Sequence, residues 1–140
     1  AHISLIPEFQ LVENRVTNAV GGWQCLVEDG KPVGYFAVND NSMQFHPRTF
    51  VGVSQDHRKV YLFVIDGRQP EYSNGMRIED MMLLCKGAGC YQALNLDGGG
   101  STTMVRRVED AGHLSFDLMN KPSDNPARAV LNGIQVIEKK

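Results

Sequence analysis

Apolar and polar positions along this chain alternate in short runs, a pattern that predicts strands more often than helices. Val60-Tyr61-Leu62-Phe63-Val64-Ile65 is apolar at every position, as expected of a strand buried on both faces. Residues 48–54 predict the strand before it, joined through Gln55-Asp56-His57-Arg58. Upstream, residues 23–27 and 33–38 predict a hairpin about Glu28-Asp29-Gly30-Lys31, because Asp-Gly between apolar runs suits a tight turn. Residues 39–44 read as a loop. Residues 3–6 read as a short strand that Pro7 ends or confines to an edge.

Helical character emerges once. Residues 77–86 are good helix formers, with Glu79 and Asp80 in the first turn and Lys86 near the end, the charge order that suits a helix dipole. Gly87 stands where a C′ glycine would stop the helix. Met81, Met82, Leu84 and Cys85 make its inner face broad. Beyond it, residues 92–96, 102–108, 113–118 and 129–137 predict further strands, and Pro122 and Pro126 punctuate the loop before the last. The sum is an α+β domain, a mixed, strand-rich sheet with one principal helix packed on it.

The 140 residues suffice for one domain, taken as 1–140. A net charge of −2 excludes the basic footprint of a nucleic-acid binder and any polybasic lipid patch. No apolar run approaches the roughly 20 residues of a membrane span. The chain starts at Ala1 with no signal peptide and reads as processed or trimmed. Cys25, Cys85 and Cys90 match no zinc spacing. They read as buried small hydrophobes, with a local Cys85–Cys90 bridge, implying an oxidising compartment, as the alternative.

Candidate chemistry concentrates at Asn95-Leu96-Asp97-Gly98-Gly99-Gly100-Ser101-Thr102-Thr103. Three consecutive glycines cost conformational entropy, and make sense where backbone adopts positive φ or lies close to a ligand. Their N–H groups, with the Ser101 and Thr102 hydroxyls, suit an anion, and Asp97 sets a carboxylate beside it. No lysine completes a P-loop, and Thr103 stands where a nucleophile elbow needs glycine, so Ser101 reads as a binding group. A second constellation, Asp66-Gly67-Arg68, follows the most apolar strand and offers a carboxylate and a bidentate cation. His46-Pro47-Arg48-Thr49 adds another arginine and a titratable histidine. Glu79 first suits the helix dipole, and Arg128 either caps the pocket or is solvated.

In this order these motifs, continued by Gly75-Met76, Met104 and Asn120-Lys121-Pro122-Ser123, resemble the phosphodiester glycosidase family over about residues 20–137. That family includes a lysosomal enzyme acting on N-acetylglucosamine-1-phosphodiesters and bacterial relatives associated with exopolysaccharides. The resemblance implies a secreted, periplasmic or envelope-associated hydrolase of carbohydrate metabolism, taking a glycan or small-molecule phosphodiester and calling for no cofactor or metal. Family domains carry an upstream, Asn-rich aromatic portion. This chain begins after it and is expected to be the C-terminal part of a larger domain, with a second chain or fragment completing the pocket.

The implied reaction cleaves a sugar-1-phosphodiester at the anomeric carbon, a step usually handled by two carboxylates. Asp97 and Asp66 are the catalytic candidates, with Glu79 in reserve. Arg48, Thr49, Arg68, Asn95, Gly98, Gly99, Gly100, Ser101, Thr102 and Arg128 are the substrate and phosphate ligands. The rival reading is a non-catalytic module that binds phosphorylated glycan or envelope polysaccharide. A third gives Asp97, Asp66 and Asp124 to a divalent cation.

Overall fold

A computed structural model describes residues 18–33 and 40–138; the predicted strand at 3–6 and most of 33–38 lie outside that set. The first hairpin forms as its Asp-Gly dictates. Strand β1 (Gln24–Glu28) turns through Asp29 and Gly30, at φ +50° and +73°, into β2 (Lys31–Pro32). Residues 40–43, read from sequence as loop, form the short helix α1 (Asp40–Met43); Asp, Asn and Ser favour a helical first turn as readily as a loop.

Strands β3 (Arg48–Val53) and β4 (Val60–Ile65) pair antiparallel along their whole length. Helix α2 (Ile78–Ala88) then carries the chain across the sheet to β5 (Gln92–Asn95), which pairs with the far side of β3 and with β1. The sheet order is β2-β1-β5-β3-β4. Every described pairing is antiparallel, whereas the sequence suggested a mixed sheet. The reason lies in the crossover: β4 and β5 run the same way, but β3 sits between them. The α+β class with one principal helix stands.

Helix α2 packs on one face of this sheet. Its buried side chains, Ile78, Met81, Met82 and Cys85, follow the i, i+3, i+4, i+7 spacing of an amphipathic stripe. Ile78 takes the place expected of Leu84, which is 37% exposed. The stripe meets Leu26, Val27, Phe50 and Ala93, each fully buried side chain contributing roughly 1.5–3 kcal/mol. Phe63 stacks on Phe50 with ring centroids 4.5 Å apart. Glycine stops the helix, but it is Gly89 at φ +88°, not Gly87. The Gly89 amide bonds the Lys86 carbonyl and the Cys90 amide bonds the Cys85 carbonyl. That double closure brings Cys85 against Cys90 across the turn.

Strand β4 is the sheet edge, so Val60 and Leu62 stay 48% and 36% exposed rather than buried on both faces. A separate hairpin, β6 (Val105–Asp110) and β7 (His113–Leu118), turns through Ala111 and Gly112, both at positive φ. Residues 129–138 carry no strand. The alternation there supplies the propensity, but a strand also needs a partner, and none of the described strands pairs with it.

Candidate active site

One end of the main sheet gathers the chemistry, because β4 and β5 end there and β1 and β3 begin there. Four stretches of backbone meet around His46 and Pro47, and glycine makes the approach possible. A Cβ on Gly67 would lie 2.7 Å from the Pro47 nitrogen, and one on Gly98 would lie 2.8 Å from the Pro47 carbonyl oxygen. Gly75, at φ +110°, lies on the His46 backbone, where His46 and Met76 form an isolated bridge. No side chain fits at these contacts, so the glycines of all three motifs serve close packing.

The glycine run Gly98 to Gly100 folds into a 3-10 turn, Gly99–Ser101. Its amides are largely engaged within the protein, which corrects the expectation of an open nest. Gly98 N donates to Asp97 Oδ1, Gly99 N to the Pro47 carbonyl, Ser101 N to the Gly98 carbonyl and Thr102 N to the Gly99 carbonyl. Gly99 sits at φ +62°, and the Arg68 guanidinium lies over it, with both terminal nitrogens 3.2 Å from where a Cβ would be. Gly100 is covered instead by the Asp124–Arg128 ion pair, 2.9 Å between Oδ2 and Nη2. The turn thus presents one glycine to a cation and the next to a salt bridge.

The two leading carboxylates differ sharply in their surroundings. Asp66 is saturated: Asn120 Nδ2 donates to Oδ1 at 2.8 Å, the Lys121 amide to both oxygens at 3.0 and 2.9 Å, and the Tyr72 hydroxyl to Oδ2 at 3.2 Å. Asn120 also accepts from the Met104 amide and donates to the Thr102 carbonyl. Asp66 and Asn120 therefore clasp the 66–75 loop to the strand leaving the glycine turn, a geometry that holds backbone rather than frees a carboxylate. Asp97 is exposed, and its single described hydrogen bond is the 2.9 Å contact from its neighbour's amide. Asn120, Tyr72 and the Lys121 amide had no role in the sequence reading. Asn120-Lys121-Pro122 was visible as a motif, but nothing local linked it to a carboxylate 54 residues away.

Three basic side chains converge at the same end. Arg48 is only 6% exposed, and its guanidinium donates to the carbonyls of Met76 at 2.9 Å and Gln44 at 3.1 Å. Burial, then the Arg68 charge, pulls its pKa below the ordinary value. His46 is also depressed, first by burial and then by the charges of Arg48 and Arg68. These groups repel one another, an arrangement an anion relieves. Arg68 itself has no hydrogen-bond or ion-pair partner among the described residues, and its φ of +57° is unusual for a side-chain-bearing residue.

The remaining candidates divide. The Thr49 hydroxyl donates to the Thr102 hydroxyl at 3.2 Å, and Thr102 is 1% exposed, so both hold the turn to β3. Asn95 is 7% exposed and lies on the helix-covered face, opposite Phe50, with its Oδ1 unpartnered. The Ser101 hydroxyl has no described partner. Glu79 is exposed in the first turn of α2 and makes none of the contacts that join the others. Among the described residues, no cluster of three His, Cys, Asp or Glu side chains is arranged to hold a metal ion, so Asp97, Asp66 and Asp124 do not converge. Nor does any helix there have the length and apolarity to cross a membrane.

Such a fold, with a glycine turn between a cation and a carboxylate at one sheet end, defines a sugar-phosphodiester site in one family. The phosphodiester glycosidase family matches residues 3–137, and the chain belongs to it. Two solved structures share the fold. A hypothetical protein from Synechocystis superposes with a TM-score of 0.56 at 21% identity, covering 79% of this chain and 19% of its own. The catalytic domain of zebrafish N-acetylglucosamine-1-phosphodiester α-N-acetylglucosaminidase, auto-inhibited by its pro-peptide, gives 0.55 at 23%, covering 76% of this chain and 35% of its own. This chain thus spans about a fifth and a third of those chains. No curated protein matches it.

Proposed function

We propose that this chain carries catalytic and phosphate-binding groups of a hydrolase that cleaves sugar-1-phosphodiesters at the glycosidic bond. The observation that carries this reading is the exposed Arg68 guanidinium over Gly99, beside His46 and Arg48 and without a partner of its own. A phosphodiester monoanion is the ligand such a seat suits: Arg68 presents a planar fork to two phosphate oxygens, and Ser101 adds a neutral donor. Arg48, consumed by two carbonyls, contributes long-range charge and holds the 44–48 and 76 segments together.

Asp97 is the carboxylate left free to act. At the anomeric carbon the bond to the phosphate oxygen breaks while charge builds on both sides, positive on the sugar ring and negative on the departing phosphomonoester. Asp97 answers the first as nucleophile or as base to water, and the arginine seat answers the second. A phosphate is a good leaving group, so cation stabilisation replaces strong general acid catalysis. Asp66 acts through the clasp. An extracytoplasmic setting and a bacterial exopolysaccharide substrate belong to the same reading and rest on the family resemblance.

The test is turnover on a panel of sugar-1-phosphodiesters, with Asp97→Asn and Arg68→Ala beside the native protein. Hydrolysis is expected to fall at least a hundredfold in each variant while the melting temperature holds. Saturable diester binding with no product in any variant would instead establish the binding-module reading.

A further inference from the structure

The phosphate seat accounts for one end of a diester and leaves its sugar without a surface. Trp23 is the only tryptophan in the chain and is 81% exposed. Its amide donates to the Asn95 carbonyl at 2.9 Å, extending the β1–β5 register by one residue, so Trp23 stands opposite Leu96 and next to Asp97 along the sheet end. The approach is close because Gly22 precedes it: a Cβ there would lie 2.6 Å from the Leu94 side chain.

The face is set by alternation. Gln24 pairs with Asn95, which pairs with core residue Phe50 on the helix-covered side. Trp23, one residue earlier, therefore projects from the opposite side. That is the side on which the Thr49 and Thr102 hydroxyls meet beneath the glycine turn. The indole has no side-chain partner among the described residues. Tyr72, the other exposed aromatic near the site, is already engaged: Lys121 Nζ lies 4.9 Å from its ring centre and its hydroxyl bonds Asp66.

We propose that the Trp23 indole is the platform on which the sugar ring of the diester stacks, setting its anomeric carbon toward Asp97. A pyranose presents a face of C–H bonds, and the negative face of an aromatic ring attracts them while shedding water from both surfaces. An indole supplies the largest such face at little cost in conformational freedom. The inference rests on the phosphodiesterase-type glycosidase reading above and adds the group that recognises the sugar.

Because Trp23 is the sole tryptophan, its fluorescence reports this residue directly. The probes are N-acetylglucosamine 1-(methyl phosphate), which has sugar and diester, and dimethyl phosphate, which has the diester alone. The sugar diester is expected to shift or quench the emission and to bind Trp23→Ala about tenfold more weakly, with a smaller loss in Trp23→Phe. Dimethyl phosphate is expected to leave the emission unchanged and to bind native protein and Trp23→Ala alike. An exposed side chain carries little of the fold, and unchanged circular dichroism checks that. Sugar-diester hydrolysis with the same KM in Trp23→Ala, or unchanged emission on its binding, overturns the platform while leaving the catalytic reading intact. Failure of either diester to bind the native protein overturns both.

Discussion

Replacing Gly99 by alanine tests whether the glycine run serves the ligand or only the fold. At φ +62° an L-residue costs roughly 1–2 kcal/mol, about 3–8 °C in Tm for a chain of this length. The new Cβ would lie 3.2 Å from the terminal nitrogens of Arg68. That is the far end of a flexible arm, so it swings aside at little further cost to stability. What is lost is the seat. A charge-assisted hydrogen bond contributes about 1.5–3 kcal/mol, so phosphate affinity should drop roughly ten- to a hundredfold or more. Gly98→Ala is the counterpart. Its Cβ would meet the Pro47 carbonyl at 2.8 Å, backbone that cannot yield, so stability should fall further than in Gly99→Ala. Calorimetric titration with inorganic phosphate at low salt, paired with thermal melts, reads both quantities. Native-like phosphate binding by Gly99→Ala, or equal destabilisation by the two substitutions, would refute the reasoning.

Three other outcomes follow from the geometry. Asn120→Ala removes three hydrogen bonds that tie Asp66 and Thr102 to the strand after the turn; at about 1 kcal/mol net each, urea denaturation should show a loss of roughly 2–3 kcal/mol. The folded pKa of His46 lies below its ordinary 6.5, so between those values the unfolded chain binds more protons. Stability should therefore fall as pH drops through 6.5 and level off below the folded value. Bound phosphate should raise the His46 pKa in an NMR titration, and an unmoved value would contradict the cation cluster. Burial, then the neighbouring Cys90, pushes the Cys85 thiol up to about 12, so iodoacetamide at pH 8 should spare Cys85 in the native protein and modify it in urea, as peptide mass mapping would show.

The elements visible in the sequence were those fixed by neighbours along the chain. Asp29-Gly30 dictates its own turn, and the helix announces itself through the spacing of its apolar residues and its acidic first turn. Its stop was misjudged by two residues because Gly87 and Gly89 are equally good local stops. The choice falls to Gly89, which lets Cys90 pack back on Cys85. Strand β4 reads as doubly buried because all six side chains are apolar, yet sheet order, a long-range property, leaves it at an edge. The chemistry divides the same way. Asp97 and Arg68 were evident from the motifs that hold them, whereas the difference between Asp66 and Asp97 depends on donors from residues 120 and 121. No local pattern reveals that one carboxylate is saturated and the other free.

The central claim is that water attacks carbon, not phosphorus. Hydrolysis of N-acetylglucosamine 1-(methyl phosphate) in water enriched in oxygen-18 tests it in one mass spectrum. The account predicts the label in the anomeric hydroxyl of the released sugar and none in the methyl phosphate. Label in the phosphate would make the site a phosphodiesterase and contradict the role given to Asp97.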